Sequence, residues 1–81
     1  MPRCRLSVRE STRSGDRVEI LAEVNGLDRL DVFVNERPRE SRDAADGQIL
    51  FPVSLAPGGD TELLVRGYRD RTLAAVCRES L

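Results

Sequence analysis

Apolar and polar residues alternate along this chain with a period of two, and that pattern admits few folds. Val18, Ile20, Ala22 and Val24 fall on one side of an extended segment, with Glu19 and Glu23 on the other. Leu30, Val32 and Val34 alternate with Asp31, Phe33 and Asn35. Ile49, Phe51, Val53 and Leu55 alternate with Leu50, Pro52 and Ser54; Leu63, Val65 and Gly67 alternate with Glu62, Leu64 and Arg66. Successive side chains of a strand point to opposite faces, so each run offers one face to a core and one to water. A helical period fits worse. Over residues 17–24 it gathers Val18, Leu21 and Ala22 but leaves Ile20 and Val24 elsewhere.

Turn formers separate the runs: Ser14-Gly15-Asp16, Asn25-Gly26, Asp46-Gly47 and Pro57-Gly58-Gly59-Asp60. Short strands punctuated in this way every 8–12 residues or so indicate an all-β sandwich or barrel. A weaker pattern opens the chain at Cys4, Leu6 and Val8, and a last one, residues 73–77, is apolar on both faces. Residues 36–46, with Arg37, Arg39, Arg42 and Pro38 among acids, have no face to bury. They predict a solvated loop or a short edge strand blunted by charge and proline. No repeat or linker divides the 81 residues, so residues 1–81 form one domain.

Composition closes most chemical routes. The chain has no His and no Lys, and all 13 basic residues are Arg. No imidazole is present to serve a nucleophile or a metal, and no amine to form a Schiff base. Arginine stays protonated and replaces neither. The arginines read either as bidentate anion recognition or as the codon bias of a GC-rich genome; acids interleaved with them favour the second. A net charge of −1 argues against a nucleic-acid binder or a basic membrane anchor. After Met1-Pro2-Arg3-Cys4-Arg5 comes no apolar stretch like the ~7–15 residues of a secretory signal. The expectation is a cytosolic chain, or a piece of a longer secreted one.

The order of the segments resembles bacterial immunoglobulin-like and cadherin-like modules. The residues that carry the likeness run from Val18-Glu19-Ile20-Leu21-Ala22-Glu23-Val24, through Leu30-Asp31-Val32-Phe33-Val34-Asn35, to Leu63-Leu64-Val65-Arg66-Gly67-Tyr68. Glu36 stands where the turn glycine often sits, and Asp60 where an Asn often sits. The likeness covers residues 17–73 and implies a Greek-key sandwich of about seven strands, at residues 4–8, 17–24, 30–35, 37–42 (irregular), 48–55, 61–68 and 72–78. It implies no catalytic residue, because such modules share a fold and no active site. The expected core is Val18, Ile20, Ala22, Val24, Leu30, Val32, Val34, Ile49, Phe51, Val53, Leu55, Leu63 and Val65.

Cys4 and Cys77 near the two chain ends invite a disulfide. In the implied topology the first and last strands run parallel where they pair. Cys4 then falls beside Thr72, about five residues or ~16 Å from Cys77, which is out of disulfide reach. The expectation is two free, buried thiols.

Among candidate sites, Glu19 and Glu23 share an open face and lack the cleft that a carboxylate pair needs for glycoside chemistry. Asp16, Asp28, Asp43, Asp46, Asp60 and Asp70 lie in or near turns, where Asp is favoured without any calcium. The reading therefore holds no catalytic residue, no metal ligand and no cofactor. Phe33, Leu50 and Leu64 point away from the core, either joining into a patch that seeks a partner or lying under loops. Arg66, Tyr68, Arg69 and Arg71 form the most basic cluster, a candidate for carbohydrate or a polyanion, or else a solvated face ion-paired to Glu62 and Glu19. The favoured expectation is a non-catalytic module working through protein contacts, with itself or in a larger assembly.

Overall fold

Each alternating run becomes a strand. The computed structural model describes residues 1–55 and 58–81, with the backbone alone at 10–13. Its seven strands are β1 (Arg3–Ser14), β2 (Arg17–Asn25), β3 (Arg29–Val34), β4 (Arg37–Asp43), β5 (Gly47–Ser54), β6 (Glu62–Arg69) and β7 (Thr72–Ser80). They form two sheets, β1-β2-β5 and β4-β3-β6-β7, with every ladder antiparallel. This is an all-β sandwich. The expected turn at 57–60 begins on Pro57, outside the described residues.

Burial follows the alternation. The pattern along β3 runs from exposed Arg29 to buried Leu30, and on through Asp31, Val32 and Phe33 to buried Val34. The core joins Val18, Ile20, Ala22 and Val24 of β2 to Leu30, Val32 and Val34 of β3, Phe51 and Val53 of β5, and Leu63 and Val65 of β6. Ile49 and Leu55, expected inside, are only partly buried. Leu6 and Leu27 take full places in the core. Leu27 sits in the β2–β3 connection and closes one end, and a Cβ on Gly67 would collide with its Cδ1. A glycine at this inward position of β6 is what lets Leu27 reach in.

Of the two expectations for the fourth segment, the edge strand is the one that forms. β4 pairs with β3 from Arg29↔Asp43 to Val34↔Arg37, with a register shift after Val32. Its charges, its proline and that shift blunt an exposed edge.

Turn chemistry departs from the usual residues at two hairpin tips, Asn35-Glu36 and Asp70-Arg71, each with two positive φ values and no glycine. Asn35 and Glu36 link β3 to β4 with φ of 49° and 69°. Two positive values in a two-residue loop make the I′ geometry, which favours Asn then Gly. Asn35 conforms; Glu36 holds a left-handed backbone against its own Cβ. Replacing Glu36 by Gly is expected to stabilise the domain by about 0.5–1 kcal/mol, the left-handed penalty less glycine's extra chain entropy. Urea unfolding of Glu36→Gly checks this, and a lower midpoint would refute it.

The cysteine expectation is corrected. Cys4 and Cys77 form a disulfide, with Cα atoms 5.7 Å apart. Pro2 and Arg69 both lie against Gly26, so β1 and β7 do leave from the same end. They share no ladder, however: β1 bonds to β2 and β7 to β6. The two edges meet across the seam between the sheets, where no hydrogen-bond register dictates their stagger. Cys4 lies opposite Val24 and Cys77 opposite Val65, so both side chains have the inward phase.

Candidate functional site

The outer face of the four-stranded sheet carries the features that a solvated face does not need. Outward residues line up in rows across the strands. One row is Pro38, Phe33, Leu64 and Arg78; the next is Ser41, Asp31, Arg66 and Val76; the third is Asp43, Arg29, Tyr68 and Leu73. Phe33 and Leu64 are direct cross-strand partners, each only partly covered. Val76 and Leu73 on β7 stand about half exposed, at 48% and 50%. An open groove of about 580 Å³ runs over the first row, lined by Phe33, Asn35, Glu36, Glu62, Leu64, Arg66 and Arg78.

Arginine chemistry shapes this face. The Arg66 guanidinium lies over the Phe33 ring, 4.9 Å from its centroid. Such a contact contributes about 0.5–1 kcal/mol at an exposed site. Among the described residues Arg66 has no carboxylate partner, since its row neighbour Asp31 is engaged elsewhere. Asp31 Oδ1 accepts from Arg29 Nε at 3.0 Å and from Ser41 Oγ at 2.7 Å. Arg29 also lies 5.8 Å from the Tyr68 ring centroid. Arg78 Nη1 stands 3.8 Å from Glu62 Oε1, a loose exposed pair.

The structure divides both predicted groups. Phe33 and Leu64 meet, whereas Leu50 pairs with Leu21 on the outer face of the other sheet. Leu50 therefore joins no patch with them. Arg66 and Tyr68 share the four-stranded face, and Arg71 lines a depression beside Tyr68, Arg29, Asp28 and Asp31. Arg69 lies at the end of the sandwich with Asp28, Asp46 and Asp70. Acids sit between these cations, so no continuous basic surface forms. The expected pairing of this cluster to Glu19 is corrected too: Glu19 belongs to β2, on the other sheet, opposite Arg9.

The remaining candidates have structural employment. Glu23 lies opposite Arg5 on the outer face of the three-stranded sheet. Asp28 Oδ2 accepts the Asp70 N–H at 2.9 Å, and Asp46 Oδ1 accepts the Gly26 N–H at 2.8 Å. These carboxylates tie loops by the local bonding that makes Asp a turn residue. No group of three or more metal-ligating side chains occurs among the described residues.

Sequence reasoning overlooked Val76, Leu73 and Pro38 as members of the outward face. The signal was present in the last segment, apolar on both sides: one side closes the sandwich at Cys77, and the other faces water at Val76. No protein-family model, curated protein or solved structure matches the chain.

Proposed function

We propose that the chain is a non-catalytic immunoglobulin-like module that works through protein contacts, and that the outer face of its four-stranded sheet is the contact surface. The observation that carries this reading is the Phe33–Leu64 pair with Arg66 over the Phe33 ring, half-exposed Val76 in the next row and half-exposed Leu73 in the row beyond. Aromatic residues and arginine set among aliphatic ones are what binding hot spots are made of. The opposite face of the sandwich is more heavily charged, with Arg5 across from Glu23 and Arg9 across from Glu19 on either side of the Leu21–Leu50 pair. Cross-strand opposites of that kind favour water.

Support for the immunoglobulin-like part comes from three hairpins, β1–β2, β3–β4 and β6–β7, distributed over sheets of three and four strands. Two departures set this chain apart from antibody constant domains. Its fourth strand joins β3 instead of β5, and its disulfide clasps the outer strands instead of the central ones.

Leu64→Arg tests the reading. It places a charge in the middle of the apolar row while the buried residues stay untouched. Immobilised wild-type chain is expected to retain a defined protein from extracts of its source cells. The variant, with an unchanged far-ultraviolet spectrum, should lose it at least ten-fold. Equal retention by both, or retention by neither alongside no self-association, would remove the reading.

A further inference from the structure

We propose that the occupant of this face is a second copy of the same chain, docked face to face about a two-fold axis that runs along the strands between β3 and β6. The proposal rests on the contact-surface reading above and specifies its partner.

Neighbouring residues on β3 and β6 complement one another row by row. β3 presents Phe33, Asp31 and Arg29 outward, and β6 presents Leu64, Arg66 and Tyr68 directly beside them. In every row the two residues are chemical counterparts: aromatic and aliphatic, acid and base, cation and ring. A two-fold axis parallel to the strands exchanges β3 with β6 and keeps each row level. Phe33 then meets Leu64 of the second copy, Asp31 meets Arg66, and Arg29 meets Tyr68, each contact occurring twice as an isologous interface requires. The alternative axis, crossing the strands at the middle row, sets Asp31 against Asp31 and Arg66 against Arg66. Like charges brought together there oppose that arrangement.

Three local observations fit the parallel axis. Arg66 has no carboxylate partner among the described residues and only the Phe33 ring beneath it, so its fork, swung off that ring as Leu64 of the second copy arrives, is free to receive one. Asp31 keeps acceptor capacity, because Oδ2 has only a long 3.5 Å contact from Arg29 Nη2. Oδ2 therefore has room for an N–H of a second guanidinium, a charge-assisted bond to one oxygen. The same operation carries Glu36, at the β3–β4 tip, toward Arg78 at the β7 edge of the second copy. That contact gives a reason for Glu36 to occupy a left-handed turn position better suited to glycine.

Size sets the expected strength. Four strands about 4.8 Å apart and about eight residues long at ~3.3 Å each give roughly 500 Å² of flat projection per copy. Side-chain relief raises the accessible area, which brings the pair near the lower limit of about 1,200 Å² for specific interfaces. Packed sheets cross at about −30°, so the middle row keeps its register best and the outer rows splay. The dimer should be reversible, with a Kd of about 1–100 µM.

A charge exchange tests the axis. Sedimentation equilibrium is run on the wild-type chain, Asp31→Arg, Arg66→Asp, Leu64→Arg and an equimolar mixture of the two charge variants, each checked for a native strand spectrum. The wild type is expected to dimerise, and each charge reversal to weaken this about 100-fold by setting like charges together twice. In the mixture both opposite pairs are restored, and a heterodimer should return to within about ten-fold of the wild-type Kd. A wild type that stays monomeric up to about 1 mM overturns the self-pairing and leaves the contact face to its own Leu64→Arg retention test. A dimer abolished by Leu64→Arg yet indifferent to charge reversal overturns the axis while the face stands. A dimer that survives Leu64→Arg overturns both.

Discussion

Reduction of the Cys4–Cys77 bond is expected to lower the stability of this domain by about 2–4 kcal/mol, and its melting temperature by roughly 10–25 °C. The bond joins residues 73 apart, nearly the whole chain. Cross-linking so long a loop removes a large share of the unfolded chain's freedom, about 4 kcal/mol in the chain-entropy account. A domain of about 80 residues has some 4–12 kcal/mol in total, so the loss is a large fraction of it. Location adds to length. β1 and β7 are edge strands on different sheets, and the seam between them has no ladder. Without the covalent clasp, side-chain packing alone holds the two edges together, and each becomes a free template for pairing with another chain. The measurement is calorimetry of the oxidised chain, the reduced chain and the Cys4→Ser, Cys77→Ser double variant. The reduced chain should melt with the double variant, far below the oxidised chain. Three coincident transitions would mean that the seam is held by something other than this bond.

The same bond shows where sequence reading loses its grip. Alternation assigns a phase to each residue, and for the strands of the core the phase was legible. Val18, Ile20, Leu30, Val32, Phe51, Leu63 and Val65 are all buried as the period requires. Phase is a local property of the chain. Stagger between two strands is set by the elements that lie between them, and for β1 and β7 that means the whole sandwich. Assuming a shared ladder supplied a register that the molecule does not have.

Sheet membership is equally non-local, and it accounts for the divided patch. Phe33, Leu50 and Leu64 all have the outward phase, but β5 belongs to one sheet while β3 and β6 belong to the other. Outward on one sheet is the reverse of outward on the other. Partial burial of Ile49 has a related cause. It lies on an edge strand whose neighbour across the gap is charged β4, as Arg42 over the Phe51 ring shows. Leu27 was hidden for a different reason: it follows Gly26 in a connection that has no period to read. Its place in the core depends on the missing side chain of Gly67, 40 residues later in the sequence.

Truncating Phe51 to alanine is expected to destabilise the domain by about 3–5 kcal/mol, which leaves a chain of this size at the margin of folding. Phe51 is 1% exposed and heads the fully buried side chains by volume. Its partner on β2 is Ile20, itself fully buried, so no mobile neighbour stands ready to fill the hole. The ring also supports Arg42, whose guanidinium lies 5.5 Å from the centroid and reaches Glu40 at 3.1 Å. Among the described residues the buried Arg42 Nε finds no hydrogen-bond partner, so this stem is held in place by packing. Loss of the ring loosens the β4 edge, on top of the lost transfer energy and the cavity. Phe51→Leu, which keeps most of the volume, should cost less than about 1.5 kcal/mol. The sharper comparison is next door. Leu50 is 48% exposed on the other face of the same strand, and Leu50→Ala should cost under about 1 kcal/mol. Two neighbouring truncations thus differ several-fold because the backbone turns over between them. Denaturant unfolding of both variants reads that difference directly. Equal losses would place β5 in a register where neither residue faces the core alone, and with it the assignment of inward and outward faces would fall.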